Sequence, residues 1–267
     1  MGNMARAFGN GKAFIGFVTG GDPSIEMTKK FALEMARAGA DLIEIGVPFS
    51  DPVAEGPVIQ AANERALRSG ATLEKLFAMA QDLRKETAVP LAFLTYLNPV
   101  FRRGYEAFFR RAAGSGIDGV IIPDLPLEER GPVQAAAAGC GVDLVSLVAP
   151  TSRRDSAKDP DARVREIARG AAGFVYVVSS MGVTGERGEI ASGRLAAIVS
   201  AIRQATDAPA AIGFGIHSPA QAAGMAAIAD GVIVGSAIVR IIAERGEGAG
   251  PEIYRYVRGM KEAIGAV

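Results

Sequence analysis

The chain contains one cysteine, Cys140, and one histidine, His217, among 267 residues. A lone thiol excludes an internal disulfide and a cysteine-built metal cluster, and a zinc site would need an unusual ligand set. Charge of one sign is missing too: 29 basic residues balance 29 acidic ones, with no long run of either. No electrostatic footprint therefore marks a surface for nucleic acid or an anionic membrane. The apolar stretches are strand-length, well short of the roughly 20 residues a membrane helix needs. The opening MGNMARAFGNGKAF lacks the apolar centre of a secretory signal. Neither a serine-hydrolase arrangement nor a strand-end lysine suited to Schiff-base chemistry stands out. The expectation is a soluble, cytoplasmic protein without a metal.

What is present is a repeat of short apolar runs and longer amphipathic stretches, in a chain that is 49% hydrophobic and 22% charged. Eight runs stand out, at 13–20, 41–47, 90–96, 119–124, 143–150, 174–180, 208–216 and 231–239. Their near-continuous hydrophobicity is what parallel strands buried on both faces require. Between them, Met27, Phe31, Met35 and Ala38 recur at helical spacing, with Ser24 as a cap and Gly39 as a left-handed stop. A second helix is expected from Pro57 to Ser69, ending at Gly70, and a third carries Leu73, Leu76, Phe77, Ala80 and Leu83. Right-handed crossovers between eight parallel strands close naturally into a (β/α)8 TIM barrel, here one domain over residues 1–267. A doubly wound open sheet is the alternative, since periodicity does not give strand order. Residues 152–162 read as an exposed loop, and the glycine-rich 182–193 as either a lid or a plain surface loop.

In a barrel, sites form at the C-terminal ends of the strands. Glu44 lies in the middle of LIEIGV, where a carboxylate is costly to bury. Alternation puts Leu42, Glu44 and Gly46 on one face and Ile43, Ile45 and Val47 on the other. Glu44 is thus either a catalytic acid in the barrel mouth or a structural acid tied to a neighbour. Glu55 ends a loop restricted by Pro48, Pro52 and Pro57 and is either a helix-dipole acid or the second member of an acid–base pair. Gly213-Phe214-Gly215 and Gly235-Ser236 close the seventh and eighth runs, and such turns let backbone N–H groups approach a phosphate. Together they predict a small phosphorylated ligand. His217 reads as a loop or helix-start residue.

Several of these stretches resemble one family. Phe17-Val18-Thr19-Gly20-Gly21-Asp22-Pro23 and Glu44-Ile45-Gly46-Val47-Pro48-Phe49-Ser50-Asp51-Pro52 are similar to the two signature stretches of tryptophan synthase alpha chains. Pro123-Asp124-Leu125-Pro126, Gly182-Val183-Thr184-Gly185 and Gly213-Phe214-Gly215-Ile216 follow in the family's order. The resemblance implies a lyase that cleaves indole-3-glycerol phosphate by a retro-aldol reaction, with Glu44 as general acid–base. It assigns the substrate N–H to Glu55, where the family has an aspartate; an added methylene moves a carboxylate by about 1 Å, a scale that matters in catalysis. Tyr176 corresponds to a wall residue near the glutamate, and Thr184 to a lid threonine. Gly185, Gly213, Phe214, Gly215, Gly235 and Ser236 correspond to the phosphate cradle. Phe17, Thr19 and Ile233 are expected against the indole ring. By the same resemblance Pro48, Ser50, Asp51 and Asn98 face a pyridoxal-phosphate-dependent beta subunit in an alpha2-beta2 complex, and the alpha chain needs no cofactor or metal. Two other classes stand beside this one: another phosphate-binding barrel, such as an indole-glycerol-phosphate synthase, and a catalytically weakened subunit that switches on its beta partner.

Overall fold

Every strand is parallel to its neighbours and almost wholly buried, as the apolar runs require. The computed structural model describes residues 3–154, 158–179, 188–213 and 215–267. Its strands are β1 (Ala13–Thr19), β2 (Leu42–Gly46), β3 (Leu91–Leu94), β4 (Gly119–Ile121), β5 (Asp143–Leu144), β6 (Ser146–Val148), β7 (Val175–Val178), β8 (Ala210–Gly213) and β9 (Gly231–Val234). They are ordered β5-β4-β3-β2-β1-β9-β8-β7-β6. The two ends of that order are separated by Val145 alone, so the sheet closes on itself. β5 bonds to β4, and β6 bonds to β7. They are two halves of one tilted stave, whose edges pair over different stretches because of the stagger of a barrel. The nine strands thus make the eight-staved (β/α)8 barrel expected, and the open doubly wound sheet is ruled out.

The helices are α1 (Ile25–Arg37), α2 (Pro57–Arg68), α3 (Leu73–Leu83), α4 (Leu97–Arg103), α5 (Tyr105–Gly114), α6 (Arg130–Gly139), α7 (Ala162–Arg169), α8 (Gly188–Arg203), α9 (Pro219–Ile228), α10 (Ser236–Arg245) and α11 (Gly250–Gly265). Ser24 caps α1 by accepting from the Met27 N–H at 3.1 Å, and Gly39 follows with φ +101°. Two expectations need correction. The eighth run stops as a strand at Val234, and residues 236–239 open α10; apolar runs of this length do not distinguish a buried strand from a buried helix. Of the glycine-rich 182–193, residues 188–193 form the first turns of α8, while 182–187 lie outside the described residues.

Alternation divides the interior in two. Val18, Ile43, Ile45 and Phe93 point outward and pack against Phe31, Phe77 and Phe108 of the helices. Ile15, Leu42, Ala92, Ile121, Val145, Phe174, Ala211 and Ile233 fill the barrel itself. A 3-10 turn at Asn3–Phe8 inserts Met4 and Ala7 into that inner cluster and plugs the N-terminal end. The opposite end is left open.

Candidate active site

A cavity of about 1220 Å³ occupies that open end. Phe17, Glu44, Tyr176 and Ile233 contribute to its floor and walls, Glu55 comes from the loop after β2, and Gly215, Gly235 and Ser236 come from the turns after β8 and β9.

Glu44 projects inward, in register between Phe17 of β1 and Ala92 of β3. It is 1% exposed, and its Oε2 has no hydrogen-bond partner among the described residues. Burial pushes its carboxyl up to about 8, and the charge of Glu55 adds to the effect. The side chain is therefore an acid that holds its proton at neutral pH. Gly46, two residues on, has a simple reason to lack a side chain: a Cβ there would lie 2.6 Å from Phe17 Cζ. Tyr176 is buried beside Glu44, and both burial and that carboxylate hold its phenol well above the ordinary range. Its ring fills the space over Gly213, where a Cβ would meet the phenol oxygen at 2.5 Å.

Glu55 is half-buried and precedes α2, whose first turn opens on Pro57. Its carboxylate accepts a hydrogen bond from the Tyr96 hydroxyl. That hydroxyl also accepts the N–H groups of Val53 at 3.0 Å and Ala54 at 2.9 Å, and the Tyr96 ring stacks on Phe49 at 5.1 Å. Burial raises the Glu55 carboxyl, the bond from Tyr96 opposes this, and the charge of Asp124 adds to the rise.

The two glycine turns are neighbours, because β8 and β9 pair directly with Gly213 opposite Ile233. Gly215 adopts φ +78°, a conformation costly for any residue with a Cβ. Ser236 is the first residue of α10, so the positive end of that helix points at the cavity. Arg240, one turn further, and His217 also line it. His217 is exposed with Nδ1 3.0 Å from the Gly215 carbonyl, in keeping with a loop residue.

Glu44, Glu55, Phe17, Tyr176, Ile233, Gly215, Gly235 and Ser236 thus share one cavity. Thr19 is not among its lining residues; it is 1% exposed, and its Oγ1 has no hydrogen-bond partner among the described residues. Thr184, Gly185 and Phe214 lie outside the described residues. Ser50, Asp51 and Asn98 are exposed and Pro48 half-buried, beside the strongly exposed apolar side chains of Val53 (79%) and Phe101 (66%). Tyr96 stands in the sequence only as the end of an apolar run, and nothing local marks Asp124 and Arg240 as parts of the cavity wall that they line. The available signal was position: a polar aromatic at a strand's C-terminal end faces the mouth of a barrel.

The sequence matches the family described as tryptophan synthase alpha chain over residues 4–264. It is 47% identical to the tryptophan synthase alpha chain of Lacticaseibacillus casei, over 100% of this chain and 97% of that one. Tryptophan synthase subunit alpha from Legionella pneumophila superposes with a TM-score of 0.87 at 32% identity, covering 100% of both chains. A chain of the tryptophan synthase complex from Pyrococcus furiosus gives 0.83 at 31% identity, over 95% of this chain and 99% of that one. Identity of this order over the full length, on a barrel whose mouth joins two carboxylates to a glycine-rimmed cradle, shows that the chain belongs to the tryptophan synthase alpha chain family, lyases of tryptophan biosynthesis.

Proposed function

We propose that Glu44 and Glu55 divide the proton transfers by which this lyase cleaves indole-3-glycerol phosphate into indole and glyceraldehyde 3-phosphate. The observation that carries the assignment is the pairing of a carboxyl kept protonated by burial with a second, better-solvated carboxylate in one cavity. Glu44 donates its proton to indole C3 while Glu55 removes the proton from the ring N–H, which leaves a C=N bond. Glu44, now a carboxylate, takes the proton of the glycerol hydroxyl adjacent to the bond that breaks. The C3–C bond pair flows into the ring as the aldehyde forms, and the ring nitrogen recovers its proton from Glu55. Both groups end as they began.

Phe17 and Ile233 offer an apolar wall to the indole ring, and Tyr176 packs beside Glu44. Gly213, Gly215, Gly235 and Ser236 would cradle the phosphate; the resemblance also assigns Thr184, Gly185 and Phe214 to substrate binding, and these lie outside the described residues. The same reading treats residues 1–267 as one domain and places it in the cytoplasm; among the described residues no helix is long and apolar enough to cross a membrane. It also pairs the chain with a beta subunit in an alpha2-beta2 complex. The exposed Ser50, Asp51, Asn98, Val53 and Phe101 form the surface that supports such docking.

The test is to supply indole-3-glycerol phosphate and follow indole, with and without a beta partner. Indole release is expected in at least the paired condition. Glu44→Gln should lose about 100- to 10,000-fold in rate yet retain binding of a phosphate analogue. Retained turnover in that variant removes Glu44 from the mechanism.

A further inference from the structure

The loop between β2 and α2 carries Glu55 at the end of a flexible side chain, and a base that must meet one ring N–H needs a fixed direction. Proline restricts the backbone but leaves the three side-chain torsions of Glu55 free. The fixing contact comes from another stave. Tyr96, at the start of α4 beyond β3, is 2% exposed and clamped by its stack on Phe49. A phenol oxygen carries one proton and its lone pairs. Here the N–H groups of Val53 and Ala54 occupy the acceptor side, so the single proton is directed to Glu55 Oε2. One carboxylate oxygen is thus held by a side chain from another stave.

We propose that Tyr96 is the positioning residue of the second carboxylate: its hydroxyl, oriented by two loop amides, aims Glu55 across the barrel mouth and holds it as an acceptor. The inference rests on the catalytic reading of Glu55 above. Tyr96 itself transfers no proton to substrate; it acts through Glu55. The groups facing Glu55 are Tyr96 from the β3 side, Asp124 from the loop after β4, and Glu44 from β2. The charge of Asp124 favours the protonated form of Glu55, while the backbone N–H groups of Glu55 and Ala54 and the Tyr96 hydroxyl favour the anion; Tyr96 is the side chain among them.

Tyr96→Phe keeps the ring and removes one oxygen. It should lower kcat by about 10- to 100-fold, the scale of a base displaced by an ångström, with little change in KM. The acidic limb of the kcat profile should move to higher pH, because Glu55 loses the bond that favours its charged form. Phe49→Leu loosens the same loop but keeps the hydroxyl, and should leave that limb in place. Should Tyr96→Phe fail to fold, 3-fluorotyrosine at position 96 decides the matter: a more acidic phenol donates more strongly, and the limb should move to lower pH. A kcat loss without movement of the limb, or an identical shift in Phe49→Leu, overturns the proposal. Silence in Tyr96→Phe beside an inactive Glu55→Gln overturns it too while leaving Glu55 in its role. An active Glu55→Gln brings down both.

Discussion

At the scale of single residues, the proposed chemistry depends on how much water reaches two carboxylates. Glu44 is surrounded by the inner barrel cluster, and its folded-state value of about 8 lies above the ordinary carboxylate range. If it acts first as an acid, kcat/KM should fall as pH rises through about 8, a limb that rate measurements on the free chain and on Glu44→Gln would expose. The same burial costs stability. Between the unfolded value of 4.5 and about 8 the native state holds a proton that the unfolded state has released, so stability declines as pH rises across that window. Glu44→Gln removes the dependence, and should therefore gain on the natural chain by a few kcal/mol between pH 5 and pH 8.5, at about 1.4 kcal/mol per unit. Denaturant titrations at the two pH values measure this; an equal difference at both would mean that the side chain is not held as a buried acid.

Elements contribute by placing such residues on the correct face. β2 turns Glu44 inward only because its alternation is in register with β1, where Phe17 lies opposite. Gly46 makes room for that ring, so Gly46→Ala should push Phe17 aside, cost about 1–3 kcal/mol as an overpacked site, and raise KM for the indole-bearing substrate. Thermal melting and steady-state kinetics read the two effects separately. Helix ends were legible in the same local way: Ser24 caps α1 as its position suggested, because a cap needs only a side-chain oxygen and an N–H three residues on. The boundary between β9 and α10 was not legible, since Gly231 to Val239 is apolar throughout and either periodicity fits it.

Across the whole molecule, the two ends of the barrel do different work. At the closed end, Asp118 is 7% exposed, accepts the Leu91 N–H at 2.9 Å, and pairs with Arg84 and, at 3.6 Å, with Arg6. Asp118→Ala would leave Arg84, which is only 22% exposed, without its carboxylate and should cost about 3–5 kcal/mol. Because this cluster lies at the opposite end from the cavity, the variant should melt earlier while keeping the kcat of its folded fraction. A loss of kcat equal to that of a mouth variant would contradict the division.

The sequence by itself determined the alternation of buried strands and amphipathic helices, the face that Glu44 shares with Leu42 and Gly46, and the glycine turns, because each depends on residues within a few positions of one another. Only the tertiary structure decided that the sheet closes through the break at Val145, that β8 and β9 pair so that their C-terminal ends stand side by side, and that a tyrosine 41 positions away bonds to Glu55. Those facts depend on the stagger of the barrel, a property of all the staves together. No local period encodes it.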